Sequence, residues 1–119
     1  MKREIKFRSF YNDKSMLFSD SYVNLYHFFE LKPEDYPLMQ FTGLKDKNGV
    51  DIYECDILNI NRGIFKGKIN TVLFDNNEGR YLIDFEGLSK SKRISLSISK
   101  STYIEVIGNI YENPKLLKP

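Results

Sequence analysis

The chain has no tryptophan, one cysteine, one histidine and only four prolines among its 119 residues. Each scarcity excludes something. A single cysteine, Cys55, rules out an intramolecular disulfide and fits a reducing compartment. One cysteine and one histidine, His27, supply too few soft ligands for a zinc site without several carboxylates. No apolar run approaches the roughly 20 residues of a membrane-spanning helix. The N-terminal Met1-Lys2-Arg3-Glu4-Ile5 lacks the apolar core of a secretion signal, so the expectation is a cytoplasmic protein that does not enter the membrane. Charge of one sign is also missing in bulk. The formal net charge is +2, which by itself says little about nucleic acid.

What is present is aromatic and strand-forming. Nine phenylalanines and eight tyrosines accompany many isoleucines, a composition that suits a pleated, half-buried surface. With 41% hydrophobic and 29% charged residues the chain is an ordinary globular sequence. A chain of this size buries roughly two-thirds of the surface it exposes when unfolded, so it needs no metal or disulfide to fold.

Residues 3 to 10 alternate. Ile5 and Phe7 fall on one face and Glu4, Lys6 and Arg8 on the other, the pattern of a half-buried strand. Tyr11-Asn12-Asp13-Lys14 reads as a turn, and Ser15 to Ser19 returns as the partner strand. Asp20 or Ser21 can cap a short helix bearing Tyr22, Leu25, Tyr26 and Phe29, which Pro33-Glu34-Asp35 ends. After residue 37 short strands recur: Leu38 to Thr42, Ile57 to Ile60, Lys68 to Phe74, Arg80 to Phe85, Ile94 to Ile98 and Tyr103 to Tyr111. Lys45-Asp46-Lys47-Asn48-Gly49 after the first of these reads as a turn, with Asn48-Gly49 its hairpin signal. The fold class is therefore mainly β. Its expected form is a small, SH3-like β-barrel over 37–114, a strand-rich or α/β appendage over 1–36, and a loose tail over 115–119.

Two segments are more specific than this pattern. They are Leu38-Met39-Gln40-Phe41-Thr42-Gly43-Leu44-Lys45-Asp46-Lys47-Asn48-Gly49, continuing through Ile52-Tyr53-Glu54-Cys55-Asp56-Ile57, and Tyr103-Ile104-Glu105-Val106-Ile107-Gly108-Asn109-Ile110-Tyr111-Glu112-Asn113-Pro114. With the opening Arg3-Glu4-Ile5-Lys6-Phe7-Arg8 they resemble the YopX family of phage and prophage proteins. The resemblance implies a phage or prophage origin, a bacterial cytoplasm and a mostly-β structure with a barrel in the C-terminal part. It carries no assigned activity and no catalytic residue. The family pattern places glycine where this chain has Cys55, and a side chain there argues against a backbone of positive φ.

Candidate chemical groups are few. His27 sits among Tyr26, Phe28 and Phe29 with no acid or nucleophile beside it in sequence, so it reads as an edge residue of an aromatic segment. Cys55 lies between Glu54 and Asp56, whose charges raise a thiol pKa where a nucleophile needs it lowered. Asp46, Asp51, Glu54 and Asp56 cluster, but Val50 and Ile52 break the rhythm of a calcium loop, and turn chemistry accounts for the acids. No catalytic, cofactor or metal site is expected, and no enzyme.

Two surfaces remain. Lys90, Lys92, Arg93 and Lys100 lie in an acid-free stretch, and Lys66 and Lys68 lie near an earlier strand. If a barrel gathers them, they suit nucleic acid or an acidic partner. Tyr22, Tyr26, Phe28 and Phe29 exceed what a small appendage can bury and suggest an interface, with a symmetric homo-oligomer as the common form. The leading expectation is a non-enzymatic interaction module that binds a phage or host protein or itself. A nucleic-acid-binding barrel is the alternative.

Overall fold

A computed structural model of the chain describes residues 4–11, 15–19, 37–63, 66, 68–85, 94–97 and 103–117. Nine strands run through them. They are β1 (Phe7–Tyr11), β2 (Ser15–Phe18), β3 (Leu38–Lys45), β4 (Asp51–Tyr53), β5 (Asp56–Ile60), β6 (Asn70–Asp75), β7 (Arg80–Phe85), β8 (Ile94–Ser95) and β9 (Ile104–Asn109), with a 3₁₀ turn over Pro114–Leu117. The predicted short helix near residues 20 to 31 and Ile98 lie outside the described residues.

The strands form two sheets, ordered β2-β1-β3-β4 and β8-β7-β6-β5-β9. All their pairings are antiparallel. The protein is thus mainly β, and one sheet curls into a half-barrel. The β1–β2 hairpin forms as its alternation implies, with Arg8 opposite Phe18 and Phe10 opposite Met16. It joins the β3–β4 hairpin in one sheet, with Arg8 opposite Met39. The Asn48-Gly49 turn is present, and of the two residues only Gly49 takes a positive φ, +81°.

The half-barrel core consists of Leu58 and Ile60 of β5, Val72 of β6, Ile83 of β7, Leu96 and Ile104, closed by Ile52 of β4. Leu44 of β3 packs against it. Because side chains alternate along a strand, the β3–β4 hairpin serves two layers. Ile52 faces the half-barrel core. Phe41 and Tyr53 face the other way, their rings 5.6 Å apart, and Phe18 meets Tyr53 edge-on at 5.9 Å.

Onto this second layer β1 lays its charged face, not its apolar one. Lys6 Nζ lies 4.7 Å from the centre of the Phe41 ring, and the Arg8 guanidinium lies 4.7 Å from that of Tyr53. Arg8 is only 6% exposed, whereas Ile5 is 60% exposed. The alternation of residues 4 to 8 is real, but the cationic side packs too: Arg8 is buried while Phe7 is half-buried and Ile5 stays exposed. The aromatic rings of β3 and β4 attract cations through their quadrupoles, and the long stems bury against them.

Candidate functional site

Where the two sheets meet, Arg8 of β1 reaches Asp56 at the start of β5. The Arg8 guanidinium donates to Asp56 Oδ1 at 2.8 Å and to the Glu54 carbonyl at 3.1 Å. Asp56 Oδ2 accepts the Tyr53 amide at 2.7 Å. Asp56 is 1% exposed, so both charges lie in the interior. Burial raises the Asp56 carboxyl to about 6, against the opposing pull of Arg8 and the Tyr53 amide.

Beside this pair lies a cleft of about 430 Å³. Its charged lining is Arg8, Asp51 and Asp56, and its apolar lining is Phe18, Val50 and Val106. Tyr53, Gly108 and Asn109 complete it. The walls come from β1, β2, β4, β5 and β9, so both sheets contribute. Asp51 is held from one side. Lys6 Nζ lies 2.6 Å from Oδ2 and Lys45 Nζ 3.2 Å from Oδ1. Burial works to raise the Asp51 carboxyl, but the two lysines outweigh it and hold it below the usual carboxylate range. The Lys6 ammonium is held above its ordinary value, chiefly by its hydrogen bond to Asp51.

The four clustered acids take four separate posts. Asp46 accepts the amides of Asn48, Val50 and Val106 at 2.8, 2.9 and 2.9 Å. Glu54 Oε1 accepts the Gln40 amide at 2.7 Å. Asp51 holds two lysines, and Asp56 holds Arg8. Turn chemistry accounts for Asp46, and for Asp56 in its bond to the Tyr53 amide, as the sequence suggests, whereas Glu54 bonds the Gln40 amide of β3. Among the described residues no group of three or more His, Cys, Asp and Glu side chains is placed to hold a metal ion.

Cys55 corrects an expectation. Its φ is +70°, so the turn between β4 and β5 keeps the left-handed backbone despite the side chain. Two bonds fix it there. The Cys55 amide donates to the Val72 carbonyl at 2.8 Å, and the Cys55 carbonyl accepts the Ile110 amide at 3.0 Å. Burial pushes the thiol pKa up, and Glu54 adds to the shift.

Lys66 and Lys68 are exposed in the β5–β6 connection. Nearby Arg62 lies over the Tyr103 ring at 5.2 Å. Lys90, Lys92, Arg93 and Lys100 lie outside the described residues, as do Tyr22, Tyr26, His27, Phe28 and Phe29. The cleft residues Arg8, Phe18, Val50 and Val106 were not singled out by sequence. They come from three distant segments, and nothing local marks their convergence. Among the described residues no helix is long and apolar enough to cross a membrane.

The two signature segments meet in this architecture. The first supplies β3, β4 and the start of β5, the second β9 and its exit loop. They touch where Asp46 takes the Val106 amide and where Lys47 donates to the Ile104 carbonyl at 2.9 Å. The family model described as YopX protein matches residues 3–118. This chain belongs to the YopX family. Among solved structures, the YopX-family chain is similar to the crystal structure of protein EF1440 from Enterococcus faecalis. That match has 26% identity and a TM-score of 0.65, and it covers 98% of this chain and 100% of the other. No curated protein matches it.

Proposed function

We propose that this YopX-family protein is a non-enzymatic phage or prophage accessory protein that acts as a protein-interaction module. The observation that supports it best is the cleft between the two sheets. Its rim residues Phe18 and Val50 are 37% and 48% exposed, and apolar surface left open beside a formed cleft is characteristic of a contact site. The charged groups beneath are committed to the fold: Asp56 to Arg8 and a backbone amide, Asp51 to Lys6 and Lys45. On this reading the half-barrel with the β3–β4 hairpin is a small SH3-like barrel left open on one side, the chain before residue 37 is its appendage, and the host compartment is the bacterial cytoplasm. Exposed Ile107 on β9 and Leu38 on β3 offer further apolar surface for a homo-oligomer, alongside Tyr22, Tyr26, Phe28 and Phe29.

A photo-crosslinking amino acid at Val50, and separately at Phe74 as an exposed control on β6, tests the reading in infected or lysogenic host cells. Discrete adducts from position 50 and none from position 74 support it. Equal or absent adducts at both positions overturn it. Light scattering on the purified chain shows whether the adduct partner is a second copy.

The nucleic-acid reading rests on Arg62, Lys66 and Lys68, which project from one acid-free connection, with Lys90, Lys92, Arg93 and Lys100. Its mark is affinity for oligonucleotides that falls steeply with salt, because bound phosphates release counterions. Fluorescence anisotropy at low and physiological salt decides it.

A further inference from the structure

We infer that Asn48-Gly49 is a site of spontaneous deamidation, and that the modified residue unfastens the β3–β4 turn from the outer edge of β9. The chain holds one Asn-Gly step, and every other asparagine is followed by a residue that carries a side chain. In deamidation the backbone nitrogen of the following residue attacks the asparagine Cγ, and a Cβ on that residue crowds the approach. Gly49 has no Cβ, and nothing lies within 4 Å of the place one would occupy. Asn48 and Gly49 are both exposed, so water and hydroxide reach them, and asparagine is among the thermolabile side chains. Two bonds restrain the reactants. The Gly49 amide donates to the Asp46 carbonyl at 3.0 Å, and Asn48 Nδ2 donates to Glu105 Oε2 at 3.3 Å. The second is long and exposed. The first breaks before the nitrogen attacks, so the reaction runs from the opened turn and is slower than in a free peptide of the same sequence.

The step balances with water as its only co-reactant. Hydroxide takes the Gly49 N–H proton, the nitrogen bonds to Asn48 Cγ, and the Cγ–Nδ2 bond breaks to release ammonia. Water then opens the cyclic imide at either carbonyl. One opening gives aspartate. The other gives isoaspartate, whose main chain runs through the former side chain and is longer by a methylene. Both products disturb the fastening of this turn. Asp46 Oδ1 accepts the Asn48 and Val50 amides at 2.8 and 2.9 Å, while its Oδ2 takes the Val106 amide of β9 at 2.9 Å. An added methylene between residues 48 and 49 shifts the Val50 amide away from that carboxylate. Either product also sets a carboxylate against Glu105, where Asn48 now donates a hydrogen bond. Lys47, with Nζ 3.7 Å from Glu105, offsets only part of that repulsion. The turn then draws Asp46 off Val106 and Lys47 off the Ile104 carbonyl, which leaves an edge strand open to another chain.

The test ages the folded full chain at physiological temperature, at neutral and at mildly alkaline pH, and follows it by NMR and by mass mapping after digestion in acid. The expected result is loss of the Asn48 side-chain amide and the Gly49 backbone resonance ahead of every other asparagine. The rate should rise with hydroxide, and the gain in mass from amide to acid should map to Asn48. In the aged chain, hydrogen exchange at the Val106 amide should quicken roughly tenfold, as loss of a hydrogen bond to a charged group gives. Asn48→Gln keeps an amide at the exposed position but cyclises far more slowly, so on ageing it should keep both its mass and its slow Val106 exchange. An Asn48 that survives as long as the other asparagines overturns the inference. So does a modified Asn48 beside an unchanged Val106 amide, or quickened exchange on ageing in Asn48→Gln.

Discussion

The Asp46 carboxylate accepts the amide of Val106, sixty residues further along the chain, at 2.9 Å. The same carboxylate accepts the Asn48 and Val50 amides of its own turn. One side chain therefore shapes the β3–β4 turn and fastens it to the outer edge of β9, where Lys47 adds a backbone bond to Ile104. This covers part of an edge strand that would otherwise invite another chain. Hydrogen bonds to a charged group contribute about 1.5–3 kcal/mol each and are coupled here. Asp46→Ala should lower the unfolding free energy in urea by about 3 kcal/mol or more and raise the tendency to aggregate. A loss below about 1 kcal/mol would mean that water replaces the carboxylate and the clamp is dispensable.

Arg8 and Asp56 join the two sheets through buried charge. Removing one partner of such a pair strands the other, at a cost of about 3–5 kcal/mol. Arg8→Met keeps much of the stem that covers Tyr53 but leaves Asp56 without its cation. It should destabilise the chain by about that amount in urea titration. The double variant Arg8→Met/Asp56→Asn should lose less than the sum of the single losses, because neither charge is then stranded. Strict additivity of the two would show that the pair is not coupled.

Most of the strand content is legible in the sequence, since alternation and turn residues locate β1, β2, β3, β6, β7 and β9. The orientation of β1 is not. Alternation identifies two faces but does not say how each packs, and the usual preference for burying the apolar face fails at Ile5, while Lys6 and Arg8 pack on the rings of Phe41 and Tyr53. The division of the strands into two sheets is also hidden. It depends on β1 crossing to β3 and on β5 pairing with β9, contacts that no local pattern encodes. The acidic cluster is legible as turn chemistry at Asp46 and at Asp56, whose Oδ2 accepts the Tyr53 amide across the β4–β5 turn. The bond of Asp56 to Arg8, 48 residues earlier, and that of Glu54 to the Gln40 amide are not legible. Cys55 shows the limit of a steric rule. A positive φ disfavours a side chain, but the two backbone bonds from this residue hold the turn regardless.

That backbone makes a direct prediction. A left-handed conformation costs a residue with a Cβ roughly 1–2 kcal/mol, which glycine avoids. Part of that gain is returned, because glycine makes the unfolded chain more flexible. Cys55→Gly should stabilise the chain by about 0.5–1 kcal/mol, and Cys55→Val should destabilise it, since a β-branched residue fits that region worst. Thermal unfolding of the two variants beside the parent checks both signs. Destabilisation by glycine would show that the half-buried thiol contributes more by packing than the turn costs.

Stability should peak in mildly acidic solution, for reasons with opposite signs. Asp56 titrates at about 6 in the folded chain, above the ordinary 3.8. The folded state then binds more protons than the unfolded one between these values. This contribution is full below about pH 4 and is lost as the pH rises through about 6, an effect of about 3 kcal/mol. Asp46 and Asp51 act the other way. Burial opposes the shift, but the amides around Asp46 and the lysines around Asp51 hold both carboxyls below 3.8. Their contribution is present above the ordinary value and disappears as the pH falls beneath it. Urea titrations should therefore give a higher unfolding free energy at about pH 4.5 than at pH 7, followed by a steep decline toward pH 3. Asp56→Asn should flatten the slope between pH 4.5 and 7 and leave the acid limb intact. A stability that instead climbs from pH 4.5 to 7 in the parent and flattens in the variant would show that Arg8 outweighs burial, and that the pair holds Asp56 as a low-pKa carboxylate.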